Sequence, residues 1–360
     1  MIKLTIDARM AFSSGIGTCI RQLVPYLNQP PFRVTLLVDK LNQDWCKDIE
    51  LIHFSAPIYS IQEQLAFPLK IPRCDLFWSP HYNIPLLPIR ARKRIVTIHD
   101  ACHLALGQFL SWPERKYARF VMSRALHHSD AVITDSEFSK GELIRYLGAP
   151  QNRLHVIPVA VNHKQFSRIV DPFSRETVRK KYGLPEKFVL FVGNLKPHKN
   201  LGSLLNAFSK IESPQLGLAI VGKGKESRNS QKTADQKMVF FLGEVPNIDL
   251  PILYSLAEML ILPSFYEGFG LPPLEAMCCG CPTIVSQAAS LPEVCGDASL
   301  YIDPEKPEDI RNAIANLASN PVLKTRLIQK GLERVKMFQW SQTARYYRNL
   351  FLHEVKGEKK

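Results

Sequence analysis

The feature that most restricts the fold of this chain is a rhythm. Short apolar runs rich in β-branched and aromatic residues, "KLTID", "RVTLLV", "ELIHFS", "DLFWSP", "RIVTIHD", "DAVITDS" and "LHVIPV", recur over roughly the first 160 residues. Helix-like stretches such as "GTCIRQLVPYL", "PERKYARFVMSRALHH" and "EFSKGELIRYLG" lie between them. Buried strands that alternate with helices predict a parallel sheet, because parallel strands need crossovers that carry helices over both faces. The rhythm breaks over "NHKQFSRIVDPFSRETVRKKYGLP", residues 162–185, which reads as a polar linker leading into a short helix. A second series follows: "KFVLFVG", "LGLAIVG", "MVFFLG", "MLILPS", "PTIVS" and "SLYID". At 360 residues the chain exceeds one small core. The expected fold is α/β: two tandem doubly wound domains, with ligands beyond the carboxyl ends of the strands and facing a central cleft. The stretch "ESRNSQKTADQK" is expected to be a solvated loop.

Composition narrows the function classes. With 46% hydrophobic and 22% charged residues, disorder is expected only at the extreme end, "EVKGEKK". The net charge of +13 is spread along the chain and favours anionic partners: phosphorylated small molecules, acidic lipid headgroups or nucleic acid. Of eight cysteines only Cys278 and Cys281 show C-x-x-C spacing, and a zinc ribbon needs a second pair, so reduced buried thiols are expected. The start meets Asp7 at once and no apolar window reaches the ~18 residues of a membrane span, so neither a signal peptide nor an anchor is expected and a cytoplasmic protein is.

The densest chemistry lies in "SFYEGFGLPPLEAMCCGCP", residues 264–282, where Glu267 and Glu275 flank a glycine- and proline-rich turn. "MLILPS" should be a buried strand and "FYEGFG" the loop at its carboxyl end. Pro272 and Pro273 suit a first helical turn, which would also hold Glu275, and Gly280 should end that helix. Gly268 and Gly270 let the backbone approach a ligand, so loop amides and the helix start form a seat for phosphate. A glutamate there accepts hydrogen bonds from sugar hydroxyls. The competing structural reading is that Glu275 complements the helix dipole and Glu267 faces solvent. In "FVGNLKPHKNL", Lys199 sits at a helix entry where its ammonium can meet a diphosphate, or it is a surface lysine.

In the first series, "DARMAFSSGIGTCI" places Gly15 and Gly17 between strand and helix, for loop flexibility or for phosphate or sugar contact. "TIHDACH" ends a strand with His99 and Asp100 at the expected cleft, where a histidine can donate to a sugar hydroxyl. "WPERKYARFVMSRALHH" interleaves basic with apolar residues, as a helix on an anionic membrane or as one with a solvated face.

Taken together, "IDARMAFSSGIG", "TIHD", "VITDSEFSK", "VIPVAVN", "FVGNLKPHKN", "LGEVPNIDLPILYSLAEMLILPSFYEGFGLPPLEAM", "SLPEVCGDASLYIDP" and "FQWSQTA" stand in the order seen in family 4 (group 1) retaining glycosyltransferases, which the chain resembles over nearly its whole length. The 264–282 segment resembles that family's E-x7-E signature. The resemblance implies the GT-B fold of two Rossmann-like domains, an acceptor-binding one at 1–165 and a nucleotide-sugar-binding one at 166–336, with 337–360 a helix crossing back to the first. It implies that Glu267 lies near the donor sugar and that Glu275 binds the ribose. The amides of Phe269, Gly270 and Leu271 would help hold donor sugar and diphosphate, Lys199 would neutralise the diphosphate, and His99 would touch the donor sugar. Asn194 stands where many members carry arginine, and "PHKN" where others read P-R-K-N, so His198 is the substitute considered for that second positive charge.

The reaction implied is attack of an acceptor hydroxyl on the anomeric carbon while the nucleotide diphosphate departs from the same face. Charge on the leaving group is the main barrier, so Lys199 and the helix amides should outweigh any side-chain nucleophile. The chain contains no D-x-D tripeptide, and no metal or cofactor is expected. The expected donor is a nucleotide-diphosphate sugar, with GDP-mannose put forward. The expected acceptor is a polysaccharide, lipopolysaccharide or lipid-linked glycan of the cell envelope, met at the inner face of the cytoplasmic membrane. Two other readings stay open: a catalytically silent nucleotide-sugar binder, and a nucleic-acid binder, the latter opposed by the lack of an aromatic stacking motif or concentrated basic helix.

Overall fold

The thirteen apolar runs are thirteen parallel strands, split between two sheets. A computed structural model describes residues 1–41, 44–107, 112–213, 215–224 and 238–357, so the stretch "ESRNSQKTADQK" lies outside the described residues. The chain divides into two compact units, Met1–Ala160 with Trp340–Lys360, and Val161–Gln339.

The first unit holds β1 (Ile2–Asp7), β2 (Phe32–Val38), β3 (Glu50–His53), β4 (Cys74–Ser79), β5 (Ala91–Thr97), β6 (Ala131–Thr134) and β7 (Leu154–Val156), in the order β3-β2-β1-β4-β5-β6-β7. Chain order reverses between β1 and β4, which makes their carboxyl ends the topological switch point of this sheet. Its central strands are apolar on both faces, as burial by helices on each side requires; Leu4 pairs with Leu76 and Ile6 with Trp78, all four fully buried.

The helix Trp340–Lys356 belongs to this unit although it comes last in the chain. Tyr347 and Phe351, one turn apart, set their rings 5.2 and 5.8 Å from that of Trp78 and are fully buried. Burying each contributes about 2–3 kcal/mol. Arg348 from the same helix donates to the carbonyls of Tyr26, Gln29 and Pro30. The divisions fall at 160/161 and 339/340, a few residues from the expected 165/166 and 336/337. The reason is local: Val161 bridges Gln339, and its N–H meets the Phe338 carbonyl, so both connecting strands enter the second unit side by side.

The second unit holds β8 (Lys187–Val192), β9 (Leu216–Val221), β10 (Val239–Gly243), β11 (Met259–Leu262), β12 (Thr283–Ser286) and β13 (Ser299–Ile302), in the order β10-β9-β8-β11-β12-β13. Its switch point lies between β8 and β11. Beyond β8 and β9 the backbones nearly touch. A Cβ on Gly222 (φ +144°) would stand 1.7 Å from the Gly193 carbonyl oxygen, so only glycine fits.

None of the eight cysteines is in a disulfide, and burial pushes Cys278 and Cys281 up to about 12, which keeps them as neutral thiols. Among the described residues no helix is long and apolar enough to cross a membrane.

Candidate active site

The second unit's switch point gathers most of the residues that the sequence singles out. After β8 the chain makes a single 3-10 turn, Pro197–Lys199, and then Asn200 turns into the left-handed region (φ 59°, ψ 35°) before the helix Leu201–Ser209. Asn200 tolerates that conformation better than most residues, and its side-chain amide donates to the carbonyls of Pro263 (3.1 Å) and Pro304 (2.7 Å). One side chain therefore ties together the segments beyond β8, β11 and β13. Asn200→Ala should leave two buried carbonyls unpaired and place a Cβ in a disfavoured conformation, costing about 2–4 kcal/mol in chemical denaturation; Asn200→Gly should recover only the backbone part.

This turn delivers the Lys199 ammonium to Glu267, with Nζ 2.6 Å from Oε1. Both residues are 8% exposed, which excludes the readings of Lys199 as a surface lysine and of Glu267 as a solvent-facing residue. The Ser264 hydroxyl donates to the same carboxylate oxygen at 2.7 Å. The Ser290 hydroxyl lies 2.9 and 3.0 Å from the carbonyls of Glu267 and Phe269, and the Phe265 N–H donates to the His198 carbonyl at 2.8 Å. Asn194 is exposed and His198 half-buried on the same loop.

Gly270 (φ +100°) precedes the helix Leu271–Cys278, and a Cβ there would press on Leu291 at 2.8 Å. Pro272 and Pro273 carry no N–H, so Gly270 and Leu271 are the residues of this helix start that can offer amides to an anion. Phe269 is anchored by its ring, 5.7 Å from that of Phe338 and edge-on.

Glu275 is not in the first turn, contrary to the expectation. The left-handed Gly270 makes Leu271 the first helical residue, which sets Glu275 one turn further in and removes the dipole-complementing role. Its Oε2 accepts from the hydroxyl of buried Tyr254 at 2.9 Å. Burial pushes the Glu275 carboxyl up to about 7, against the lowering by that hydrogen bond.

Gly15, Gly17 and His99 lie in the first unit. Both glycines fall inside the helix Ser14–Leu27 rather than in a loop before it. A Cβ on Gly17 would stand 2.5 Å from the Ala11 carbonyl oxygen, so close packing accounts for that glycine; one on Gly15 would meet nothing within 4 Å. His99 has Nδ1 2.7 Å from an Asp135 carboxylate oxygen and Nε2 3.0 Å from the Pro80 carbonyl. Burial opposes its charge, yet the Asp135 carboxylate outweighs that and raises the imidazole above its ordinary value. Two acceptors suit an imidazolium, so His99 can donate to a sugar only by releasing one of them. Asp100 is occupied by the Cys102 N–H.

Sequence reasoning did not single out Ser264, Ser290, Tyr254 or the side chain of Asn200 as supports. Serines, a helical tyrosine and a helix-entry asparagine give no spacing signal for partners that are up to about 100 residues away.

The family described as "Glycosyltransferase Family 4" matches residues 13–165, and that described as "Glycosyl transferases group 1" matches residues 174–334. The O-antigen chain mannosyltransferase B of Escherichia coli is 30% identical over 298 residues, 79% of this chain and 77% of that one. The O-antigen chain mannosyltransferase RfbU of Salmonella typhimurium is 30% identical over 269 residues, 73% and 70% of the two chains. Among solved structures, Alr3699/HepE of Anabaena in complex with UDP and glucose is similar with a TM-score of 0.78 at 18% identity, covering 97% of this chain and 99% of that one.

Proposed function

This chain belongs to the family 4 (group 1) glycosyltransferases and has their GT-B fold, and from that premise we propose that it moves mannose, with retention, from GDP-mannose to a glycan acceptor of envelope polysaccharide or lipopolysaccharide. The observation that carries this reading is the buried Lys199–Glu267 ion pair at the second unit's switch point, beside the start of the helix Leu271–Cys278 and with Glu275 one turn along.

In the free protein the Lys199 ammonium rests on Glu267. An arriving diphosphate offers more negative charge, so Lys199 turns to it, joined by the amides of Phe269, Gly270 and Leu271. Glu267, released, accepts a hydroxyl of the hexose, and Glu275 accepts the ribose hydroxyls. The bond from the anomeric carbon to phosphate oxygen breaks with its electron pair on the phosphate, the acceptor oxygen bonds to that carbon on the same face, and the acceptor's proton passes to the departing phosphate oxygen. Lys199 stabilises the charge that develops there. On this reading no metal takes part, and the rate in EDTA equals that in buffer.

The helix Trp112–His128 supports an approach to membrane-borne acceptor on the cytoplasmic face. Trp112 and Phe120 are exposed, with the Lys116 ammonium 3.8 Å and the Arg124 guanidinium 5.6 Å from their rings, a mixture that suits an anionic lipid surface.

The test is a panel of nucleotide sugars read by thermal shift and by transfer. GDP-mannose should raise the unfolding temperature and be turned over at least about 100-fold faster than UDP-glucose or UDP-galactose, since bound ligand stabilises by RT ln(1 + [L]/Kd). Preference for another hexosyl nucleotide would reject mannose; no shift and no turnover with any donor would reject the transferase.

A further inference from the structure

The first unit's switch point, between β1 and β4, carries a construction that donor chemistry does not use. Asp7 at the end of β1 is gripped by Arg9 through two contacts, 2.8 and 2.6 Å, and the same guanidinium reaches Glu63 at 2.6 Å while lying 4.1 Å above the Phe54 ring. The second Glu63 oxygen accepts the Tyr59 N–H at 2.8 Å and the Asn83 amide at 2.7 Å. Asp7, Glu63 and Asn83 are fully buried. This network therefore leads to two partly exposed residues: Tyr59, through its backbone N–H, and Tyr117, whose hydroxyl lies 3.4 Å from Oδ1 of the buried Asn83.

Tyr59 is held at φ 67°, a conformation that bulky residues avoid, and the buried carboxylate on its N–H keeps it there. Its ring lies 6.0 Å from that of Tyr82 and 6.2 Å, edge-on, from that of Tyr117. Core packing does not explain the arrangement, because Tyr59 is 45% and Tyr117 39% exposed. Behind Tyr59, the buried His81 belongs to the same network, its Nε2 3.8 Å from an Asp7 carboxylate oxygen. Strained backbone maintained by a buried ionic network is characteristic of ligand clamps. The chemistry of the ligand follows from what faces outward. Arg9 is committed to Asp7 and Glu63, which leaves ring faces for C–H groups and phenol edges for hydroxyls: a neutral polyol fits and an anion does not.

Resting on the transfer reaction proposed above, we infer that Tyr59, Tyr82 and Tyr117 form the subsite for the terminal sugar ring of the acceptor. The test uses methyl α-D-mannopyranoside as probe with the intact chain, comparing wild type with Tyr59→Gly and Tyr117→Ala. Saturation-transfer NMR should detect the probe on wild type and lose it on both variants. KM for an α-mannoside acceptor should rise about tenfold, equivalent to ~1.4 kcal/mol, with KM for GDP-mannose unchanged. Tyr59→Gly should unfold no earlier than wild type, since glycine relieves the backbone. No signal on wild type, a signal that persists in both variants, or an equal rise in donor KM would overturn the subsite. A wild type that binds the probe through these tyrosines yet transfers no sugar would leave the subsite standing and remove the reaction.

Discussion

Replacing Lys199 with alanine is expected to lower kcat by about 10²–10³-fold, the loss seen when one preorganised group is removed from the charge that develops in a transition state. The geometry makes the effect specific. Lys199 Nζ is 2.6 Å from Glu267 in a site where both residues are 8% exposed, so the ammonium is already largely stripped of water before a diphosphate arrives. Exchange of one anion for another then needs little reorganisation. Lys199→Arg keeps the charge but spreads it over a planar fork on a longer arm, and should restore only part of the rate. Removing the lysine also strands a buried carboxylate that retains the Ser264 hydroxyl, so the double variant Lys199→Ala with Glu267→Gln controls for lost stability. Both should be as slow, and the double variant should unfold later than the single. Equal, background-level release of mannose by wild type and Lys199→Ala would favour a silent nucleotide-sugar binder, the reading motivated by the neutral Asn194 on the loop beyond β8.

What the sequence discloses here depends on how far apart the partners are. Each strand is legible because burial on both faces writes it as one continuous apolar run; "KFVLFV" is buried from Phe188 to Val192. The turn after β11 is legible because glycine and proline have few other uses. Glu275 was displaced by one turn because no sequence rule fixes which glycine takes the left-handed conformation, and Gly270 rather than Gly268 does so at the helix start. The pairing of Lys199 with Glu267 spans 68 residues and is created by strand order, not by spacing. The network from Asp7 through Arg9 and Glu63 to Asn83 is of the same kind: four polar residues that read as surface in a string are driven together at a sheet's switch point, where only mutual hydrogen bonding makes their burial tolerable.

Glu275→Gln should weaken nucleotide binding about 100-fold, and the accompanying pH dependence identifies the cause. The carboxylate is the better acceptor for two ribose hydroxyls, since hydrogen bonds to a charged group are worth about 1.5–3 kcal/mol each. Burial against Tyr254 pushes the carboxyl from 4.5 up to about 7. Nucleotide affinity of the wild type should therefore fall as pH drops below 7, by up to about tenfold per unit, as the ligand must displace a proton; Glu275→Gln should bind weakly at every pH without that slope. Stability moves the other way. A group whose folded value is raised binds its proton more tightly in the folded chain, so its favourable contribution is complete below about 4.5 and is lost as pH rises through about 7. At pH 8 the free wild type holds an ionised carboxylate in a partly desolvated place. Glu275→Gln removes that charge at nearly constant shape, and its unfolding temperature should exceed that of the wild type by about 2–5 °C at pH 8 while matching it near pH 4. A residue that destabilises the empty protein at the pH where the ligand binds best is one retained for the ligand. Wild-type affinity in Glu275→Gln at pH 8 would remove the ribose from this site, and an unchanged unfolding temperature there would remove the burial from the explanation.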